Sequence, residues 1–446
     1  NFTLPFPFPE ATLYYSYKVT FFSHNVKIIL SSPDVVFILK VVILYVALLR
    51  DEYRSYIRIV IVKMDFWDQN YFRLAKITSC IVGQWPNQSV KELILTRGLL
   101  LTLTIIQLIP RIRAVVLHSD DPQIVFDASG PFMIDTILVI KIINNCYNFK
   151  KMKTLLSKVK ENWTIFSKDE MQVLHEYTAA GRRVSMIYLV SLFCGAVVFA
   201  TEPLQLRLIH TFIKTNASLP LFPMPVDYGS IDVDKYYWGL FSLAEITTCL
   251  IVIGILSCDL LFFIYAYHAC GLFATLGYTI EHLPSDRDPN SSRGIRHVKR
   301  CVQIHHRATE FANELAGLYI YNFLAVIGLN MIIISITGVQ TVVHLDATEK
   351  IVQYGSLTIT QLGHLFMECL LGQRLMDHSL SIQEHIGNAE WYYSSVKSQK
   401  MLSLLLMRSQ LPCTLTAGKF LIMNLETFNL IVRTSASYFT VLLATQ

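Results

Sequence analysis

The sequence predicts an all-α membrane protein of seven transmembrane helices in an inverted topology, N-terminus cytoplasmic and C-terminus extracellular. Three observations predict it. Hydrophobic residues make up 53% and charged residues 16% of the 446 positions, whereas a soluble domain carries about 25% charge to cover its surface; mean hydropathy is +0.43. Seven apolar segments each approach or exceed the roughly 20 residues that carry a helix across a bilayer. Lysine and arginine concentrate in alternate connections, which sets orientation.

The segments are 93–112, 126–147, 187–209, 237–268, 318–343, 351–373 and 418–444. The fourth is long enough to run past the membrane. Between the second and third lie Lys150, Lys151, Lys153, Lys158, Lys160, Lys168, Arg182 and Arg183. Between the fourth and fifth lie Arg287, Arg293, Arg296, Lys299, Arg300 and Arg307, and between the sixth and seventh Lys397, Lys400 and Arg408. The other connections are poorer in positive charge, so the rich ones are cytoplasmic. The net charge of +5 is therefore a topology signal and not the footprint of a nucleic-acid partner. The nine cysteines show no metal-ligand spacing and read as packed free thiols.

Upstream of the first segment, "KMDFWDQNYF" reads as a start at Met64. Residues 1–63 hold a proline-punctuated stretch and an apolar run interrupted by Lys40. They are expected to be a gene-model extension rather than a domain, with 64–446 as the membrane domain. No small-residue cleavage site follows the apolar run, so no signal peptide is expected.

The connection 214–238 is extracellular in this topology and carries the sequon Asn216-Ala-Ser218, a glycosylation candidate. Its prolines allow an ordered lid; an ordinary connector fits as well. "IRHVKRCVQIHHRATEFANELAGLYIYNF" should extend the fifth helix below the membrane, and "EWYYSSVKSQKMLSLLLMRSQ" should form a cytosolic helix before Pro412 breaks it.

On a helical wheel of the last segment, Asn424, Thr427, Thr434, Ser435, Tyr438 and Thr445 share one stripe, bordered by Val441. Unsatisfied polar groups are costly in lipid. The stripe either lines a water-filled path or bonds to neighbouring helices, and the residues alone leave both open. Glu426 and Arg433 share another face and need partners or water; Lys141, Glu368 and Arg374 are the expected partners.

"LPCTLTAGKFLIMNLETFNLIVRTSASYFTVL" resembles the C-terminal signature of insect odorant receptors, and "CIVGQWPNQS" resembles the opening of that family. The resemblance covers 64–446 and leans toward receptors of ants, bees and wasps, the hymenopteran type. It implies a seven-helix inverted fold and an odorant-gated, non-selective cation channel in sensory perception of smell. It implies assembly with an olfactory co-receptor into a heterotetramer through a cytoplasmic helical bundle. It places the protein in the plasma membrane, on the dendrite of olfactory sensory neurons. The last helix would line the pore, with Thr434 and Tyr438 along it and the gate at Val441, Ala444 and Thr445. A volatile small-molecule odorant would sit among helices two, three, four and six. The matching positions are Phe132, Met133 and Thr136; Phe193, Val197 and Phe199; Tyr237, Trp238, Phe241 and Glu245; and Tyr354, Leu357, Thr358 and Gln361. Glu245 would favour amines if it faced the ligand.

A gustatory-type chemoreceptor shares the fold and is the nearest alternative; a G-protein-coupled receptor would need the opposite orientation. No cofactor, metal or enzymatic activity is expected. His305, His306 and Glu310 read as interface residues, and His364 with Glu368 as a packed polar pair.

Overall fold

In a computed structural model of the chain, residues 65–212, 221–284, 292–345 and 347–444 are described. The 1–63 segment, Asn216 and Thr445 lie outside them. Contacts divide the chain into two units. The larger holds Asp65–Ala200 and Phe222–Gln446, the smaller Asn1–Met64 and Thr201–Leu221.

The larger unit is built almost wholly of helices. They are α1 (Arg73–Ile81), α2 (Val90–Leu117), α3 (Pro122–Tyr147), α4 (Phe149–Ile165) and α5 (Lys168–Ala200). In the smaller unit, α6 spans Glu202–Phe212. The larger unit resumes with α7 (Val233–Glu281), α8 (Ser292–Val343), α9 (Thr348–Leu380), α10 (Ile382–Asn388), α11 (Val396–Ser409) and α12 (Leu425–Ala444).

Local chemistry explains the boundaries. The "CIVGQWPNQS" stretch is the turn between α1 and α2. Gly83 sits at φ +69°, where a Cβ would fall 2.7 Å from the Leu93 carbonyl oxygen. Trp85 is buried beside Trp67, with ring centroids 5.6 Å apart. Ser89 then caps α2, accepting from the Glu92 N–H at 3.4 Å. Asp121 caps α3, whose first residue is Pro122. Ser167 and Glu170 form a reciprocal capping box on α5, with the Ser167 N–H donating to Glu170 Oε2 at 2.8 Å.

Two expected segments differ. The third, 187–209, is not continuous: α5 ends at Ala200 and α6 begins at Glu202. Pro203 has no N–H to donate, and its ring clashes with the carbonyl four residues back. The seventh, 418–444, begins only at Leu425. Before it, Thr416–Ala417 and Leu421–Ile422 pair as an antiparallel hairpin, β1 and β2. Gly418 at φ +63° and Lys419 at φ +69° make its turn. Asn424 then caps α12 by accepting from the Thr427 N–H at 2.8 Å. The cytosolic helix expected within 390–410 starts at Val396, where Ser395 caps it.

Among the described residues, α2, α3, α5, α7 and α8 are long and apolar enough to cross a membrane. The sixth and seventh segments, on α9 and α12, are more polar, carrying His364 and Glu368, and Glu426 and Arg433. With 49 residues, α7 is roughly 70 Å long, more than twice the hydrocarbon thickness. It is the axis of the unit, packing against α1, α2, α3, α4, α5, α8, α9 and α10. The 52 residues of α8 likewise extend the fifth segment far toward its N-terminal end.

The nine cysteines are thiols outside disulfides; five are buried, while Cys146 and Cys194 are exposed. The described part of the 214–238 connection is pinned. The Asp227 N–H donates to the Pro110 carbonyl at 3.0 Å, and Gln353 Nε2 to the Pro223 carbonyl at 2.7 Å.

Candidate functional site

Helices α3, α5, α7 and α9 enclose a cavity, closed on other sides by Arg111 of α2 and by Met224. Each helix contributes residues at helical spacing. Pro131, Ile134 and Asp135 come from α3; Leu192, Gly195, Ala196 and Phe199 from α5; Thr248, Ile251, Val252 and Ile255 from α7; Leu357, Gln361 and His364 from α9. The cavity volume is about 80 Å³, on a scale where one water needs roughly 10–15 Å³. Its wall is mostly apolar with a few polar groups, the usual make-up of a small-molecule site.

The polar groups are arranged by charge. Arg111 Nη1 pairs with Asp135 Oδ2 at the cavity wall, both buried. The His364 ring belongs to a buried cluster whose other ionic members do not line the cavity. Lys141 Nζ pairs with Asp259 and lies 3.0 Å from Glu368 Oε1. Tyr188 donates to Asp259 Oδ2 at 2.6 Å. His364 Nε2 lies 3.3 Å from Asp259 and 3.4 Å from Glu368, and its Nδ1 is 3.2 Å from Asn330 Nδ2. Asp259, His364 and Glu368 bring ligand atoms within 4.8 Å of one another, but the Lys141 ammonium already supplies the cation there. The cluster ties α3, α5, α7, α8 and α9 together.

Of the expected ligand positions, Phe199, Leu357 and Gln361 line the cavity. The others do not. Phe132, Met133 and Thr136 flank the lining positions of α3 and turn away, with Phe132 44% exposed. On α5, Phe193 is half-buried and Val197 is exposed. Tyr237 and Phe241 stack at 5.7 Å and pack on Phe222; neighbouring Trp238 is exposed. Tyr354 hydrogen-bonds Asp127, and Thr358 donates to Thr337 Oγ1 at 2.7 Å. Glu245 is buried outside the cavity wall, and its Oε1 has no hydrogen-bond partner among the described residues. Sequence reasoning missed Arg111, Asp135, Thr248 and His364 as wall residues. The available signal was a pair of opposite charges in the first two apolar segments, each costly in lipid unless paired.

The last helix also departs from expectation. Its stripe divides: Asn424, Thr427, Ile431 and Ser435 are buried, and α12 packs on α8 and α9. Ser335 Oγ donates to the Ser435 carbonyl at 3.3 Å. Tyr438 and Val441 are exposed, at 53% and 60%, and Thr434 is half-buried, its hydroxyl donating to the Leu430 carbonyl at 2.8 Å. Glu426 and Arg433 are exposed and have no ion pair among the described residues. Their expected partners are taken: Lys141 and Glu368 by the buried cluster, Arg374 by Tyr267 Oη at 2.7 Å. The reason is geometric, since both charges project from the face of α12 opposite its packed one.

Outside the predicted spans, a larger hollow of about 590 Å³ lies between α4 and α8. Its carboxylates are engaged, Glu310 and Glu314 sitting 2.9 Å and 2.8 Å from Lys158. His305 is buried nearby, and burial, then Arg408 and His306, hold its imidazole down at about 4.

A family model described as the 7tm odorant receptor matches residues 121–436. The chain belongs to the odorant receptor family. Odorant receptor 63a of Drosophila melanogaster is 24% identical over 310 residues, 68% of this chain and 72% of the relative. Odorant receptor 22c of the same fly is 20% identical over 84% of this chain and 96% of the relative. Odorant receptor Or2 of Anopheles gambiae is 24% identical over 68% and 80%. The fold of this odorant receptor is also that of the olfactory receptor OR5 of Machilis hrabei. In that receptor's complex with eugenol the TM-score is 0.69 at 15% identity, covering 84% of this chain and 98% of the other. Without eugenol the TM-score is 0.67. The protein is thus a multi-pass membrane receptor of a family that is not an enzyme family.

Proposed function

We propose that this odorant receptor is the ligand-binding subunit of an odorant-gated, non-selective cation channel, formed with a shared olfactory co-receptor as a heterotetramer. The observation that carries the reading is the double role of α9. One face supplies Leu357, Gln361 and His364 to the cavity, while the same helix packs on α12. The joint is specific: Phe366 and Phe428 meet edge-on at 5.4 Å, and Gln373 Oε1 accepts from the Leu425 N–H at 3.4 Å. A molecule filling the cavity bears directly on the helix that holds α12. It shifts the equilibrium only insofar as it binds the open state better.

In this reading 64–446 is the receptor domain, with its N-terminus cytoplasmic in the plasma membrane of the sensory dendrite. Thr434, Tyr438, Val441, Ala444 and Thr445 face the ion path. Odorant contacts come from Phe199, Leu357 and Gln361, and the remaining expected aromatic positions form the shell around them. The test is to express the full chain with and without an insect co-receptor and record currents under voltage clamp. The expected result is a fast odorant-evoked cation current that needs the co-receptor and ignores G-protein blockade. A response that requires G-protein coupling and shows no intrinsic conductance refutes the channel reading.

A further inference from the structure

We infer that the cavity selects compact, uncharged molecules bearing a hydrogen-bond acceptor oxygen, a carbonyl or an ether, and that Gln361 is the residue that reads it. The inference rests on the reading of this cavity as the odorant site and gives that site its ligand class.

The argument begins with the charges at the wall. The one carboxylate lining the cavity, Asp135, is paired with the one lining guanidinium, Arg111. Asp259 and Glu368 are engaged by Lys141, and neither lines the cavity; nor does Glu245. A protonated amine entering here finds no unpaired carboxylate, and a carboxylate finds no unpaired cation. Burying either is expensive without a partner.

The neutral groups point the other way. Gln361 is 7% exposed, lines the cavity and has no hydrogen-bond partner among the described residues. The Thr248 hydroxyl, also at the wall, has none either. Beside these neutral groups, the Nε–H of Arg111, whose charge is already paired with Asp135, is buried without an acceptor. By contrast, the Thr360 hydroxyl is satisfied by the Ser356 carbonyl at 2.7 Å. The Gln361 amide, with donors and a carbonyl to spare, the Arg111 Nε–H and the Thr248 hydroxyl therefore surround an apolar space, while both nitrogens of His364, the remaining polar side chain named at the wall, face the buried cluster. A ligand oxygen that accepts from the Gln361 amide satisfies a group otherwise left unmatched. A hydrocarbon of the same size leaves it so, and sites built around a hydrogen bond reject analogues that lack it.

The test is ligand binding to the full chain purified in lipid nanodiscs, read as the shift in thermal unfolding across ligand concentration. The series is size-matched: a ketone, an ether, an alkane, a primary amine and a carboxylate. The wild-type protein should bind the ketone about ten-fold more tightly than the alkane. Gln361→Leu should weaken the ketone about ten-fold and leave the alkane within about two-fold; Gln361→Met provides a second apolar variant of different shape. Tightest binding of the amine or carboxylate, an unchanged ketone-to-alkane ratio in both variants, or no binding of the ketone overturns the inference. Currents with the co-receptor separate the two readings. Selective binding with no current defeats the channel and keeps the ligand class. Ketone-evoked current indifferent to both variants keeps the channel and defeats the ligand class.

Discussion

At the scale of single residues, the cluster around Lys141 has the highest stakes. One ammonium stands among two carboxylates, all about 3% exposed or less. Lys141→Met removes the cation and leaves both acids buried, a change that costs about 3–5 kcal/mol when a buried pair is broken. The expected result is a large fall in the unfolding temperature of purified protein and in surface expression. A melt within a degree or two of wild type would show that the carboxylates reorganise around the loss. His305 gives a milder, pH-dependent effect. Its imidazole is held at about 4 against an ordinary 6.5, chiefly by burial. Above 6.5 it is neutral folded or unfolded. As pH falls from there toward 4, the unfolded chain takes up a proton that the folded one refuses, so stability declines through that window. Glu170 adds to this only at the acid end of the window: burial raises its carboxyl, but the Arg300 and Ser167 hydrogen bonds lower it further, so its stabilisation is lost as pH falls through 4.5 and below. Melting from about pH 7.5 down to about pH 4.5 should therefore lower stability less in His305→Gln than in wild type. Equal slopes would mean that His305 is hydrated in solution.

At the scale of elements, α9 joins cavity to last helix, and the hairpin before α12 is part of that joint. Gly372 of α9 faces Met423, and a Cβ there would fall on the Met423 carbonyl oxygen. Backbone cannot yield as a flexible side chain does. Gly372→Val should push the hairpin off α9 and cut odorant-evoked current at least several-fold, while binding at the cavity changes little. Loss of binding and current together would show instead that the substitution unfolds the bundle. The joint was only partly legible in the sequence. Long apolar runs and positive charge in alternate loops are local signals, and both were readable, whereas the turn at Gly83 lies in a stretch read only through its resemblance to the family. The hairpin was not readable, because its two-residue strands are too short to show alternation inside an apolar run. The cavity wall was half legible for a related reason. Sequence places residues on helices two, three, four and six, but neighbours lie 100° apart, so Pro131 lines the wall while Phe132 turns outward. Pairings such as Lys141 with Asp259 join residues 118 positions apart, a distance no local pattern spans.

At the scale of the whole molecule, the unresolved charge sits on α12. Glu426 and Arg433 project from the face of α12 opposite the side packed on α8 and α9, whereas Tyr438 and Val441, also exposed, lie nearer the packed stripe in the last two turns. Charges at such positions are costly in hydrocarbon and belong against water or another protein surface. The subunit alone is therefore incomplete at this face, and an assembly that encloses a water-filled path there removes the cost. The exposed and the buried positions of α12 then predict opposite chemistry. Cysteines placed at Arg433, Tyr438 and Val441 in the assembled receptor should react with a charged, membrane-impermeant thiol reagent during odorant application, and reaction should change the current. Cysteines at Ile431 and Ser435, buried where α12 packs on its neighbours, should stay protected. If Ile431 and Ser435 react and Arg433 does not, α12 is turned about its axis in the assembly. If neither reacts while the receptor conducts, ions take a route that does not touch this helix, and the exposed charges are buried between subunits instead.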